Sequence, residues 1–138
     1  MNSVGHLPTH RASDVEGQLW ESAVGAMKLA ALRPETARTI GTPVVEPARR
    51  IGAWSTVSLA ERALGVAAMN LNEIDGAVAH LRAAVAAGVR AGSRARTGEA
   101  RMSLASALVL RGQGGPATRE IDAAVRDLEG VQGARARA

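Results

Sequence analysis

Three histidines, His6, His10 and His80, are the residues best suited to acid–base or metal chemistry, and none stands in a pattern that would use it. A nucleophile–base–carboxylate triad needs its members within hydrogen-bond reach of one another. His80 has no Asp or Glu three or four residues away, and no spacing of Ser, Asp and His marks a triad. It reads as an ordinary histidine, on a helix surface or partly packed. His6 and His10 lie in a polar stretch with Gly5 and Pro8, which makes a poor metal site. With no cysteine, a thiol nucleophile, a thiolate metal site and a disulfide are all excluded. The expectation is a chain that is not an enzyme and holds no metal or cofactor.

Two further stretches have types that chemistry could use. The glycine-rich run at 112–115 would need a preceding strand and a following Lys-Ser/Thr to cradle phosphate, and it has neither. It reads as a turn between helices. Arg90, Arg94, Arg96 and Arg101 form the one basic cluster, countered by Glu99. Phosphates bind such patches, but no aromatic residues are interleaved for base stacking. Acidic Glu120, Asp122, Asp127 and Glu129 follow in the last repeat. The cluster reads as a solvated turn, and nucleic acid is not an expected partner.

Any site here must be positioned by helices. Hydrophobic residues make up 46% of the 138, yet Trp20 and Trp54 are the only aromatic residues besides histidine, so the core must come from Ala, Val and Leu. Small side chains bury little area each, and stability then depends on close helix approach. The net charge of +4 is carried almost wholly by Arg, with Lys28 the only Lys. No apolar run approaches the roughly 18 residues of a membrane span. The first residues lack the apolar segment of a secretion signal, so a cytoplasmic location is expected.

The segment SLAERALGVAAMNLNEIDGAVAHLRAA, from Ser58 to Ala84, reads as one helix folded back on a second, with Asn70-Leu71-Asn72 as the break. Leu64, Gly65, Ala68, Ala77, Leu81 and Ala84 mark it, and Leu104, Ala105, Leu108, Ala117, Ile121 and Ala124 repeat the marks 40 residues later. A fixed period of this size is the signature of a stacked helical repeat. Shifting back by the same amount sets Val24-Gly25 on Leu64-Gly65 and Ala37 on Ala77. The chain then divides into a flexible tail over 1–12, repeats over about 14–52, 53–92 and 93–130, and the start of a truncated further helix or a disordered tail over 131–138. A capping box at Ser13–Glu16 predicts the first helix start. Helices are expected to about Leu32, from Pro34, from Trp54 to Met69, from Glu73 to about Ala91, from Ala95 to Leu110, and from Pro116 to near Gly130. Gly41, Pro43 and Pro47 predict a kink or break in the second, because an interior proline costs roughly 3 kcal/mol.

These marks resemble the tetratricopeptide repeat, whose pattern runs W-x2-L-G-x2-Y and then A-x3-F. Here the residues are Glu61, Leu64, Gly65 and Ala68, then Ala77, Leu81 and Ala84, followed by Arg101, Leu104, Ala105 and Leu108, then Ala117, Ile121 and Ala124. The aromatic positions hold Glu61, Ala68, Arg101 and Leu108, and the period of 40 exceeds the family's usual one. RALGVAAMNLNEIDGAVAHLRAAVAAG and GEARMSLASALVLRG look like N-terminal repeats of actinobacterial proteins that end in a CHAT domain, a caspase-like peptidase. That peptidase needs a Cys, so the resemblance implies the repeat part without its enzyme. It also implies an all-α solenoid of about three helix pairs, acting as a protein–protein interaction scaffold.

In such an array the first helix of each pair lines a concave groove. The free face of the third helix is Arg62, Val66 and Met69, with Asn70 beside it, and that of the fifth is Met102, Ser106 and Val109. Paired methionines offer a soft apolar surface for a peptide or helix; the other reading is that they pack against a neighbouring repeat. Self-association through the exposed C-terminal repeat is also expected. The rival function is a ligand- or partner-sensing segment of a transcriptional regulator.

Overall fold

The computed structural model describes residues 9–137 and places them in six helices joined by short turns, with no strand among the described residues. They are α1 (Thr9–Leu29), α2 (Pro34–Arg50), α3 (Trp54–Asn70), α4 (Ile74–Arg90), α5 (Arg94–Leu110) and α6 (Gly114–Arg137). From α2 onward the helices begin at evenly spaced positions, and α2 to α5 each have 17 residues.

The even spacing follows from one turn used four times. Gly52, Asn72, Gly92 and Gly112 occupy the middle of three-residue turns with φ between 62° and 82°. In each turn the left-handed residue and its successor donate N–H bonds back to the last helical carbonyls, as with Asn72 to Met69 (3.0 Å) and Glu73 to Ala68 (2.8 Å). This pairing satisfies carbonyls that the helix end leaves open. Asn tolerates the left-handed region better than other side chains, which admits Asn72 among glycines. At the opposite ends, Ser93 alone among the N-caps of α2 to α5 accepts a backbone N–H, from Arg96 at 3.1 Å.

Odd and even helices take different places. α1, α3 and α5 touch one another in succession, whereas α2, α4 and α6 touch only the odd helices beside them. The odd helices therefore form one continuous layer, and the even helices stand apart on the other side with clefts between them.

The core is made of small residues. Ala23, Ala26, Ala30, Ala37, Ala60, Ala63, Ala77 and Ala84 are fully buried, and Leu81, Leu108 and Val57 are the largest apolar side chains with almost no exposure. Leu64 and Leu104 are buried as the repeat pattern predicts. Gly65 lets α3 and α4 approach: a Cβ there would lie 2.5 Å from Leu81 Cγ. Gly88 does the same for α4 and α5, where a Cβ would meet the Thr97 backbone N at 2.9 Å. Gly25, aligned with Gly65 in the repeat, faces open space, and it is Ala26 that meets α2 at Gly41. Ile121, aligned with fully buried Leu81, is 38% exposed. Leu81 is covered by α5 residues such as Leu104 and Leu108; among the described residues no helix follows to cover Ile121 in the same way.

Several helix bounds differ from expectation: α1 ends at Leu29, short of Leu32, and α6 starts at Gly114, ahead of Pro116, so Gly114 and Gly115 of the expected turn are helical. α1 already includes Thr9 and runs straight through Ser13, so Ser13–Glu16 is not its cap. Ala12 and Arg11 are good helix formers, and nothing local makes the start wait for Ser13; residues 1–8 of the expected tail lie outside the described residues. α2 continues unbroken through Pro43 and Pro47. The carbonyls deprived of an intrahelical donor belong to Thr39 and Pro43, both exposed residues. α6 passes Gly130 and extends to Arg137 as one helix, so 131–137 is not the start of a separate one. The Ala and Arg residues after Gly130 favour helix, and Gly130 is also where the Arg94 side chain crosses.

Two glycines of α4 test the packing. Gly76→Ala adds a Cβ in open space and is expected to raise unfolding free energy by about 0.5–1 kcal/mol. Gly88→Ala meets the backbone of Thr97 and is expected to lower it by about 1–3 kcal/mol. Chemical denaturation of both variants measures the sign; a stabilised Gly88→Ala would contradict the close approach of α4 and α5.

Candidate functional site on the odd-helix face

The α1–α3–α5 layer carries a depression of about 270 Å³. Trp20, Val24 and Met27, spaced i, i+4 and i+7 on α1, form one wall, with Lys28 beside them. Leu59 and Arg62 of α3 make the floor, and Arg96 and Glu99 of α5 the far wall. Trp20 is 37% exposed and Leu59 is buried.

Its charges are arranged by Glu99. Arg96 Nη2 lies 2.8 Å from Glu99 Oε1, and Arg62 Nη1 lies 3.8 Å from the same oxygen. Arg62 Nε donates to Ser103 Oγ at 3.0 Å. The Arg96 guanidinium reaches over the α3 layer to within 5.7 Å of the Trp20 ring centre, inside cation–π range. Burial pulls the Arg62 pKa below its ordinary value; Glu99 opposes this and Arg96 adds to it. An Arg so placed stays charged at working pH. Three cations, Lys28, Arg62 and Arg96, thus border the depression with one carboxylate, beside Leu59 and the apolar α1 wall.

Of the residues expected to line the groove, Arg62 alone borders this depression. Val66 is half-buried and packs on Ala30, Ala37 and Ala67. Met69 is half-buried against the cluster of Leu81, Leu104 and Leu108. Asn70 is exposed and turns its amide back to the Val66 carbonyl at 2.9 Å. Met102, Ser106 and Val109 all face solvent on α5, with Met102 41% and Val109 58% exposed. Trp20, Val24 and Met27 are not among the residues expected from the sequence to line a groove. Their i, i+4, i+7 spacing, the same as that of Arg62, Val66 and Met69, was the available signal.

A second concavity, about 400 Å³, lies between α2 and α4, which do not touch, with Leu64, Ala68 and Glu61 of α3 along its floor. Here His80 is not solitary: its Nδ1 lies 2.7 Å from Oε1 of Glu61, which is buried, and Arg49 Nη2 lies 3.4 Å from the other Glu61 oxygen. Spacing along one helix could not show this, because Glu61 comes from α3. The following helix pair repeats the tie with charges exchanged, Arg101 of α5 meeting Glu120 of α6 at 3.0 Å. Arg101 also lies 3.2 Å from Asp127. A carboxylate and an imidazole could move a proton, but the Thr42 hydroxyl lining this cleft is committed to the Arg38 carbonyl at 2.7 Å. The arrangement is that of a polar cross-tie between two helices.

The arginine cluster of the sequence does not form one patch. Arg90 stacks on Trp54 at 4.0 Å, Arg94 crosses Gly130, Arg96 meets Glu99, and Arg101 meets Glu120. Among the described residues no group of three His, Cys, Asp or Glu side chains could hold a metal ion. No described helix is long and apolar enough to cross a membrane. Comparison with known protein families, curated proteins and solved structures finds no match.

The two methionines now separate. Met102→Lys is expected to change unfolding free energy by no more than about 0.5 kcal/mol, as exposed substitutions do. Met69→Lys places an ammonium against the Leu81–Leu104–Leu108 cluster and is expected to cost about 1–3 kcal/mol. Thermal or urea melts measure both, and equal effects would contradict the placement of Met69.

Proposed function

We propose that this chain is a protein–protein interaction module, a helical scaffold of the tetratricopeptide kind that takes a peptide or a helix on its α1–α3–α5 face. The observation that carries the reading is the depression spanning all three odd helices, with its apolar α1 wall and excess of positive charge. Apolar side chains of a partner fit against Trp20, Val24, Met27 and Leu59, and the arginines orient it. A cation-rich rim favours partners with carboxylates and speeds their encounter. Through its resemblance to the repeats that precede a CHAT peptidase, the chain is the recognition part of a larger signalling protein, working in the cytoplasm.

Site-specific photo-crosslinking tests this. A photoreactive residue replacing Val24 on the odd-helix face, or Glu46 on the α2–α4 side, is used to trap partners from an actinobacterial lysate. Specific products are expected from position 24 and not from position 46. Trp20→Ala should weaken the captured interaction by roughly thirtyfold, as loss of a central aromatic contact does, without altering the melt. Equal capture from both positions, or indifference to Trp20→Ala, would contradict the assignment.

A further inference from the structure

α6 packs on α5 alone, and beyond that contact it carries an apolar shoulder, whose Leu128 also sits against Gly98 of α5, and a row of charges. Ile121 and Val125 are 38% and 45% exposed there, and Leu128 beside them is half-buried. Their counterparts one repeat earlier are covered: Leu81 is fully buried and Val85 packs against the core. Along the other shoulder stand Arg119, Asp122, Arg126 and Glu129, all exposed. Among the described residues none of these four takes part in an ion pair, although neighbours along the helix alternate in sign.

The order of the four charges is what identifies an occupant. Arg119 and Glu129 are equidistant from Ala124, and so are Asp122 and Arg126. Reversing the helix about Ala124 therefore puts every charge opposite its complement. The apolar shoulder is nearly symmetric about the same point, with Ile121 three residues before Ala124, Leu128 four after it and Val125 next to it. Laid parallel, two such helices would set like charges against each other at every position. A surface that meets itself across a two-fold axis must be complementary to its own reverse.

We propose that α6 is the contact of a symmetric homodimer, in which two α6 helices lie antiparallel across a two-fold axis near Ala124. Arg119 then faces the partner's Glu129, and Asp122 faces the partner's Arg126, each pair occurring twice. Ile121 packs against the partner's Leu128, and the two Val125 side chains meet at the axis. The charges set direction and register, and the apolar shoulder supplies the burial. The odd-helix face stays free, so the dimer presents two copies of it.

Sedimentation velocity over a concentration series tests the arrangement through a charge exchange in trans. The wild-type chain is expected to pass from monomer to dimer and no further. Asp122→Arg and Arg126→Glu should each weaken the dimer by about tenfold or more, because each sets like charges together twice. Mixed in equal amounts, these two variants should form a heterodimer about as tight as the wild type, since each then supplies the charge that the other needs. Effects within one helix cannot produce that rescue. Val125→Arg should remain monomeric alone and in mixtures, and circular dichroism melts confirm that every variant is folded. Trp20→Ala, which affects the odd-helix face alone, should dimerise normally. A wild-type chain that stays monomeric, single variants that dimerise unchanged, a mixture without rescue, or growth into open chains would each overturn the proposal.

Discussion

Close approach of helix backbones is the constraint on which this structure depends. The chain has no aromatic core, and its buried surface is built from alanine with a few leucines and valines. Such side chains lose little conformational entropy on burial but also contribute little area each. What makes up the difference is dispersion between closely packed atoms, which falls away quickly once a gap opens. Gly65, Gly88 and Gly98 stand where a Cβ would collide with the next helix, at Leu81, Thr97 and Leu128. A buried bond from Ser58 Oγ to the Ala84 carbonyl at 2.7 Å ties α3 to α4 in the same region.

Spacing then generates surface. One turn, with a left-handed residue at its centre, closes α2, α3, α4 and α5 in the same way. It brings each helix back against the last, sorts the odd helices into one layer, and leaves the even ones separated. The odd layer gathers side chains from three helices into one depression. Polar ties replace bulky packing between paired helices, Glu61 with His80 in one pair and Arg101 with Glu120 in the next. A carboxylate buried as Glu61 is would be costly alone, and its two partners offset that cost.

Helix existence was legible because it depends on local periodicity. Leu64, Leu81, Leu104 and Leu108 fell where the repeated marks put them, and α3, α4 and α5 lie within a residue of their expected bounds. Boundaries governed by weaker balances were not legible. Two prolines fit within α2 where the residues whose carbonyls they orphan, Thr39 and Pro43, are exposed, which only the folded burial pattern reveals. The site was less legible still. Arg62 was found from its helix face, but its partners Ser103 and Glu99, and the reach of Arg96 to Trp20, depend on how neighbouring helices stack. Glu61 and His80 stand 19 residues apart on different helices, so spacing along the sequence cannot connect them.

Binding on the odd-helix layer would be read, region by region, by hydrogen–deuterium exchange of the complex with the trapped partner. Amide protection on binding should concentrate in the middle of α1 around Trp20 to Lys28, around Leu59 to Arg62 in α3, and around Arg96 to Ser103 in α5. Exchange in α2 and α4 should stay as it is in the free chain. Protection confined to α2 and α4, along the cleft over Glu61, would contradict the account and move the binding surface to the opposite side of the molecule.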